Sequence, residues 1–241
     1  MSLYLHNFCF GIYPYICLAV FLIGSLARFD RDQYTWKSDS SQLLRTDQLR
    51  WGSNLFHIGI LFLFLGHFVG LLTPHWLYGA FVSAQDKQML AVISGGIAGV
   101  LCFIGLSLLL HRRLTDPRIR LNSHRTDIAI LAILWLQALL GLATLPFSYA
   151  HREDAQTMLL LADWAQQLLI LHPQPATLLA VDVIFKLHIV LGLTIFLFFP
   201  FTRLVHVWSG FGTLAYPFRP YQLVRTRRLH LPSDQPERSS A

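Results

Sequence analysis

Two histidines, His57 and His67, stand ten positions apart in NLFHIGILFLFLGHFVG, a run from 54 to 70 without a formal charge. Two more, His188 and His206, stand eighteen positions apart in a second apolar run, FKLHIVLGLTIFLFFPFTRLVH. An imidazole surrounded by lipid is costly, so it is kept where it ligates a metal, relays a proton or bonds a neighbouring helix. Of the eleven histidines these four lie deep in apolar runs, whereas His6, His75, His111, His124, His151, His172 and His230 fall at run ends or in loops, where a solvated or interfacial ring is expected.

What must position the four is a set of membrane-spanning helices. The chain of 241 residues is 54% hydrophobic and only 13% charged, about half the charged share of an ordinary soluble domain. Five apolar runs, near 3–26, 53–72, 88–110, 127–147 and 182–206, reach the roughly 20 residues that a helix needs to cross a bilayer. The first has no Lys or Arg before it and no clear small-residue cleavage site after it, so it is expected to remain as a helix rather than act as a removable signal. The predicted fold is an all-α membrane protein, a five-transmembrane-helix bundle over residues 1–209. A cytoplasmic C-terminal tail over 210–241, rich in Pro and Arg, should lose order toward its end.

Orientation follows from the 19 Lys and Arg residues. The connection after the first segment carries Arg28, Arg31, Lys37, Arg45 and Arg50, and the one after the third carries Arg112, Arg113, Arg118, Arg120 and Arg125. The end of the fifth and the tail add six more, while Lys87, Arg152 and Lys186 stand alone on the other side. Basic residues collect in cytoplasmic loops, which puts the N-terminus outside and the C-terminus in the cytoplasm. The formal net charge of +6 therefore marks inner faces and does not point to nucleic acid. Cys9, Cys17 and Cys102 form no CxxC or CxxCH, so they read as small apolar packing residues, and any haem would be held without thioether links.

Because the second and fifth segments run in opposite directions, His57 and His206 fall in the inner half of the membrane and His67 and His188 in the outer half. On ideal helices the ten-residue spacing rises about 15 Å and the eighteen-residue spacing about 27 Å, a mismatch that helix tilt or a kink at Pro200 would have to absorb. Paired imidazoles across a helical bundle are the arrangement that holds a b-type haem, and two pairs would hold two. Zinc fits poorly, because no Asp, Glu or Cys completes either pair as a tetrahedral site. A proton relay is the better rival, although no carboxylate lies mid-span; Asp127 and Asp182 sit at segment ends as expected of N-caps. Gly59, Gly66, Gly95, Gly96, Gly99, Gly105 and Gly192 would admit either a flat macrocycle or a neighbouring backbone. Arg203 would serve as a haem propionate partner or as a snorkelling anchor. On the residues alone a di-haem cytochrome is preferred, with a haem-free proton-coupled transporter and a haem-free anchor left open.

The segments FGIYPYI, RFDRDQYTW, SSQLL, SNLFHIGILFLFLGHFVGLLTPHW, GVLCFIGLSLLLHRRL, FKLHIVLGLTIFLFFPFTRLVHVWS and YQLVR resemble the gamma, or cytochrome b, subunit of bacterial membrane-bound respiratory nitrate reductase, from about Phe10 to Arg225. The resemblance implies a quinol-oxidising subunit in the bacterial inner membrane, with menaquinol or ubiquinol as substrate. It implies two haem b, an inner one on His57 and His206 and an outer one on His67 and His188. Lys87 would hydrogen-bond quinol near the outer haem, beside Gly66. The implied partners are an iron–sulfur beta subunit, touched by tail residues such as Tyr221 to Arg225, and a molybdenum-containing alpha subunit that reduces nitrate in anaerobic respiration or nitrate assimilation. A related complex with another terminal acceptor would fit the same segments. The connections after the second and fourth segments and the tail beyond Arg225 depart from the pattern.

Overall fold

The structure, a computed structural model, describes residues 2–32, 36 and 48–209. The expected tail over 210–241, including Tyr221 to Arg225 and His230, lies outside the described residues, as do Lys37 and Arg45. Among the described residues five helices are long and apolar enough to cross a membrane: α1 (Leu3–Arg31), α2 (Leu49–Leu72), α3 (Ala84–Thr115), α4 (Arg125–Ala150) and, after a shorter helix α5 (Gln156–Leu169), α6 (Val183–Phe198), whose span is prolonged to Phe201 by a 3-10 turn. Among the described residues the secondary structure is entirely helical.

Packing runs from α2 to α3, α4, α6 and α1 in turn. Small residues set the closest approach. Gly52 and Gly59, seven apart on α2, face Ala98 and Gly105, seven apart on α3. A Cβ at Gly59 would come 2.7 Å from the Ala98 carbonyl oxygen, and one at Gly105 would strike the backbone of Phe56 and Gly52. Lipid gives no hydrophobic force between helices, so this close contact is what α2 gains from its neighbour. Gly52 and Gly59 are also the buried residues of α2, whose Leu61, Phe62, Phe64, Leu65 and Phe68 stay exposed.

α1 starts as an α-helix, widens to a π turn over Phe8–Ile12 and resumes at Tyr13. Pro14 has no N–H to offer the Phe10 carbonyl, and Trp164 on α5 supplies the missing donor from its indole nitrogen at 2.9 Å. Phe10, Trp164, Leu168, Leu178, Val181 and Phe185 then form the main buried cluster. α5 is a correction to the sequence reading, which expects a loop there. Fourteen residues are too few to span, and the helix buries Ala162, Trp164 and Leu168 while Gln166 donates to the Leu71 carbonyl of α2 at 2.9 Å.

α6 breaks where Pro200 stands. Its helical hydrogen bonds stop at Phe198, a 3-10 turn covers Phe199–Phe201, Thr202 is extended, and a second 3-10 turn covers Arg203–Val205 before His206. The sequence expectation of one continuous run to His206 with a kink is thus replaced by a break, and the 27 Å ideal rise no longer applies. The break frees carbonyls that lipid cannot satisfy. Arg28 of α1 fills that role, its Nη1 donating to the Pro200 carbonyl at 2.6 Å and to the Thr202 carbonyl at 2.9 Å. Gly24, one turn earlier on α1, lets the Pro200 ring approach, for a Cβ there would lie 2.9 Å from its Cγ.

At the start of α4, Asp127 was expected to cap the helix. The N-cap position is instead His124, and Asp127 is buried with its carboxylate 3.3 Å from Arg113. Asp182 does occupy the N-cap of α6 but makes no side-chain capping bond. His6 likewise departs from a solvated ring: it is 3% exposed and donates Nε2–H to the Pro175 carbonyl at 2.7 Å. His75, His111, His124 and His172 are exposed and His151 is half-buried, as run-end histidines should be.

Arg28→Met removes two charge-assisted bonds to backbone oxygens and is expected to destabilise the detergent-solubilised protein by about 2–3 kcal/mol in denaturant unfolding. Arg28→Lys should recover part of this; an unchanged Arg28→Met midpoint contradicts the capping role.

Candidate metal centres

The four deep histidines meet as two couples. The ring centres of His57 and His206 are 6.4 Å apart, and those of His67 and His188 are 6.1 Å apart. α2 packs closely on α3 and also touches α5, and these rings bring it to the segment that carries His188 and His206. Both couples are the cross-segment ones that opposite helix directions predict.

The tautomers follow from the hydrogen bonds. A backbone carbonyl only accepts, so Nδ1 carries the proton in His57, bonded to the Ser53 carbonyl at 2.7 Å, and in His67, bonded to the Leu63 carbonyl at 2.7 Å. His206 does the same toward the Arg203 carbonyl at 2.6 Å. In a neutral imidazole that leaves the Nε2 lone pair as the ligating nitrogen, with ring orientation fixed by the Nδ1 bond. The two α2 histidines each reach back one helical turn, and the 3-10 turn after Pro200 offers the Arg203 carbonyl to His206. Ser53 adds its hydroxyl at 3.2 Å from His57 Nδ1.

This donor set can be tested against a metal held between two imidazoles. A metal–nitrogen bond of about 2.0–2.1 Å, plus about 1.1 Å from nitrogen to ring centre, taken on both sides, requires ring centres about 6.3 Å apart. The observed separations of 6.4 and 6.1 Å meet that requirement. Among the described residues no group of three or more His, Cys, Asp or Glu converges on a point, so each couple offers two imidazoles, a donor set that would fit a b-type haem.

His188 is seated differently. Gln137 of α4 donates its Nε2–H to the His188 carbonyl at 3.1 Å and approaches His188 Nε2 at 3.4 Å. Gly141, one turn on, makes room for the ring: a Cβ there would lie 3.0 Å from His188 Cε1. Sequence reasoning did not single out Gln137, Gly141, Ser53 or Arg28. The available signal was Gln137 itself, an amide in the middle of the apolar run LAILWLQALLGLATL.

The glycines divide. Gly59, Gly99, Gly105 and Gly192 are explained by close neighbours, whereas Gly66 and Gly95 face open space. Arg203 contributes its backbone carbonyl to His206. Lys87 Nζ donates to the Thr73 carbonyl at 3.4 Å and lies 3.7 Å over the Tyr78 ring, in the turn that follows α2. Burial holds the Tyr78 phenol above its usual pKa, so the ring facing the ammonium stays neutral.

Fold and donor groups define a multi-pass helical membrane protein with two histidine couples at a spacing that would admit a metal between the rings. The nitrate reductase gamma subunit family model matches residues 6–227. The chain is 51% identical over 225 residues to the respiratory nitrate reductase 1 gamma chain of Escherichia coli (strain K12), covering 93% of this chain and 99% of that one. It is 51% identical over 229 residues to the respiratory nitrate reductase 2 gamma chain of the same organism, covering 95% and 100%. It is also 36% identical over 218 residues to the nitrate reductase gamma chain of Bacillus subtilis (strain 168), covering 90% and 96%. The chain therefore belongs to the nitrate reductase gamma subunit family, the membrane component of a multi-subunit oxidoreductase.

Gly141→Val should push the His188 ring from its seat and cost about 1–3 kcal/mol in denaturant unfolding. Gly70→Ala, with nothing within 4 Å of the added Cβ, should be neutral or slightly stabilising. Equal effects of the two contradict the seating.

Proposed function

We propose that this chain is the di-haem b subunit that oxidises quinol near the outer face of the bacterial inner membrane and delivers the electrons to the iron–sulfur and molybdenum subunits of a respiratory nitrate reductase on the cytoplasmic side. The observation that carries the reading is the pair of histidine couples at one-metal spacing within a member of this family. Bound between the imidazoles, each haem would supply a reversible one-electron iron couple.

The chain's own residues do the holding. His57 and His206 would hold the inner haem, and His67 and His188 the outer. The Nδ1–H bonds of His57, His67 and His206 to carbonyls make their imidazoles better donors and fix the planes of their rings. The open side of Gly66, next to His67, would admit the edge of a macrocycle. The Arg203 guanidinium is proposed to face a propionate while its carbonyl holds His206.

Quinol is proposed to engage Lys87. An ammonium carries three donors; with one on the Thr73 carbonyl, another is free to meet a quinol oxygen and stabilise the anion formed as the hydroxyl proton leaves. Thr73 and Tyr78, the groups that hold Lys87, also line a surface pocket with Asp163 and Gln166 of α5. The N-terminus is proposed to lie outside, which places proton release from quinol on the outer side, and the tail over 210–241 in the cytoplasm against the iron–sulfur subunit.

Reduced-minus-oxidised spectra of the complex with single replacements test the assignment. Loss of His57 or His206 should remove one b-type component, and loss of His67 or His188 the other, with quinol oxidation falling at least 100-fold in each. Any other grouping, or wild-type protein without b-type bands, overturns it.

A further inference from the structure

The pocket bordered by Lys87 holds a titratable group that quinol binding at the ammonium does not use. The turn after α2 supplies Thr73, His75 and Tyr78, α5 supplies Asp163 and Gln166 among others, and the cavity measures about 200 Å³. A cavity of about 150 Å³ already accepts a benzene ring. The bond from Gln166 to the Leu71 carbonyl fastens the two walls together. Tyr78 brings two different groups to one place: Lys87 Nζ lies 3.7 Å from its ring centre, and the His75 ring centre lies 5.1 Å from the same point. At most about 9 Å therefore separates the ammonium from the imidazole. A para-quinol with a hydrogen bond of about 2.8 Å at each oxygen can bridge that gap. His75 is also free to act. It is exposed, and among the described residues neither of its ring nitrogens is hydrogen-bonded, whereas the rings of His6, His57, His67, His151 and His206 are all engaged.

We propose that His75 is the general base of quinol oxidation, taking the proton of the hydroxyl opposite the one held by Lys87. This rests on the quinol reading above and adds to it the acceptor of a proton. In becoming quinone, quinol gives up two electrons and two protons. The electrons go one at a time to haem iron, each reducing ferric to ferrous. The hydroxyl at Lys87 loses its proton to water, because an ammonium has no lone pair and can only stabilise the oxygen anion left behind. At the other end the quinol O–H breaks as an N–H forms on His75, and the imidazolium passes that proton to water at the exposed face. An imidazole suits both halves of this transfer near neutral pH. The charged and titratable groups around His75 are Tyr78 on its own turn, Lys87 of α3 and Asp163 of α5.

The test mixes the intact membrane complex, without oxygen, with menadiol, a small naphthoquinol, and follows the rate at which the b-type bands are reduced. His75→Gln keeps a hydrogen-bonding side chain that cannot take a proton. It should slow the maximal rate about 100-fold and leave the half-saturating menadiol concentration and the bands themselves unchanged. The wild-type rate should fall as acid protonates the imidazole, and that limb of the pH profile should be missing from His75→Gln. Imidazole added to the buffer should restore part of the rate to His75→Ala, which a merely structural role would not allow. A maximal rate unchanged in both variants, a loss that imidazole does not restore, or an acid limb removed by Asp163→Asn instead of His75→Gln overturns the proposal and leaves Lys87 as the quinol anchor. Lys87→Met checks the reading beneath it and should raise the half-saturating concentration about 10-fold. An unchanged value there, or wild-type bands that menadiol does not reduce, overturns the quinol site itself.

Discussion

In a bilayer interior each backbone carbonyl and each imidazole nitrogen has to find its partner within the protein, because no water is there to supply one. The arrangement of this chain can be traced to how that requirement is met wherever proline or histidine disturbs a helix. Pro14 leaves the Phe10 carbonyl without a helical donor and Trp164 provides one, which ties α5 to α1. Pro200 ends α6, and Arg28 takes the Pro200 and Thr202 carbonyls, which ties the broken segment to α1. Gln166 takes the Leu71 carbonyl at the end of α2. Each repair fixes the position of an element that carries, or adjoins, a couple histidine.

The same rule shapes the histidines. A ring that must place one nitrogen on a carbonyl has its other nitrogen aimed by the backbone, so His57, His67 and His206 arrive with tautomer and direction settled before any metal binds. Preorganisation of this kind would suit the proposed electron transfer, since ligands that do not move between oxidation states add little reorganisation. α2 carries two of the four and packs mainly through Gly52 and Gly59, which leaves most of its surface to lipid and to whatever lies between it and the far side of the bundle.

Much of this was legible in the sequence, for reasons that differ by feature. Five spans are readable because a bilayer demands some 20 apolar residues in a row, and 3–26 and 88–110 lie inside the observed Leu3–Arg31 and Ala84–Thr115. The couples were readable from chain direction alone, because α2 and the segment formed by α6 and its continuation to His206 run oppositely and each carries two of the four histidines. α5 was not, because a helix that lies against a bundle needs only one apolar face and can be short. The break after Phe198 was foreseen only as a kink, since Pro200 announces a lost hydrogen bond but not that Arg28, more than 170 residues away, will satisfy the carbonyls it frees. Charge counting reads Arg28 as a marker of sidedness, and burial of His6 against Pro175 is equally invisible to counting, because both depend on contacts distant in sequence.

The central claim is that two metals sit between two named pairs of rings, and iron can be located directly. Anomalous diffraction at the iron edge from crystals of the assembled complex should show, within this subunit, two iron positions, one midway between His57 and His206 and one midway between His67 and His188. A single iron, iron elsewhere in the subunit, or both couples closed ring upon ring with no metal between them would contradict the account.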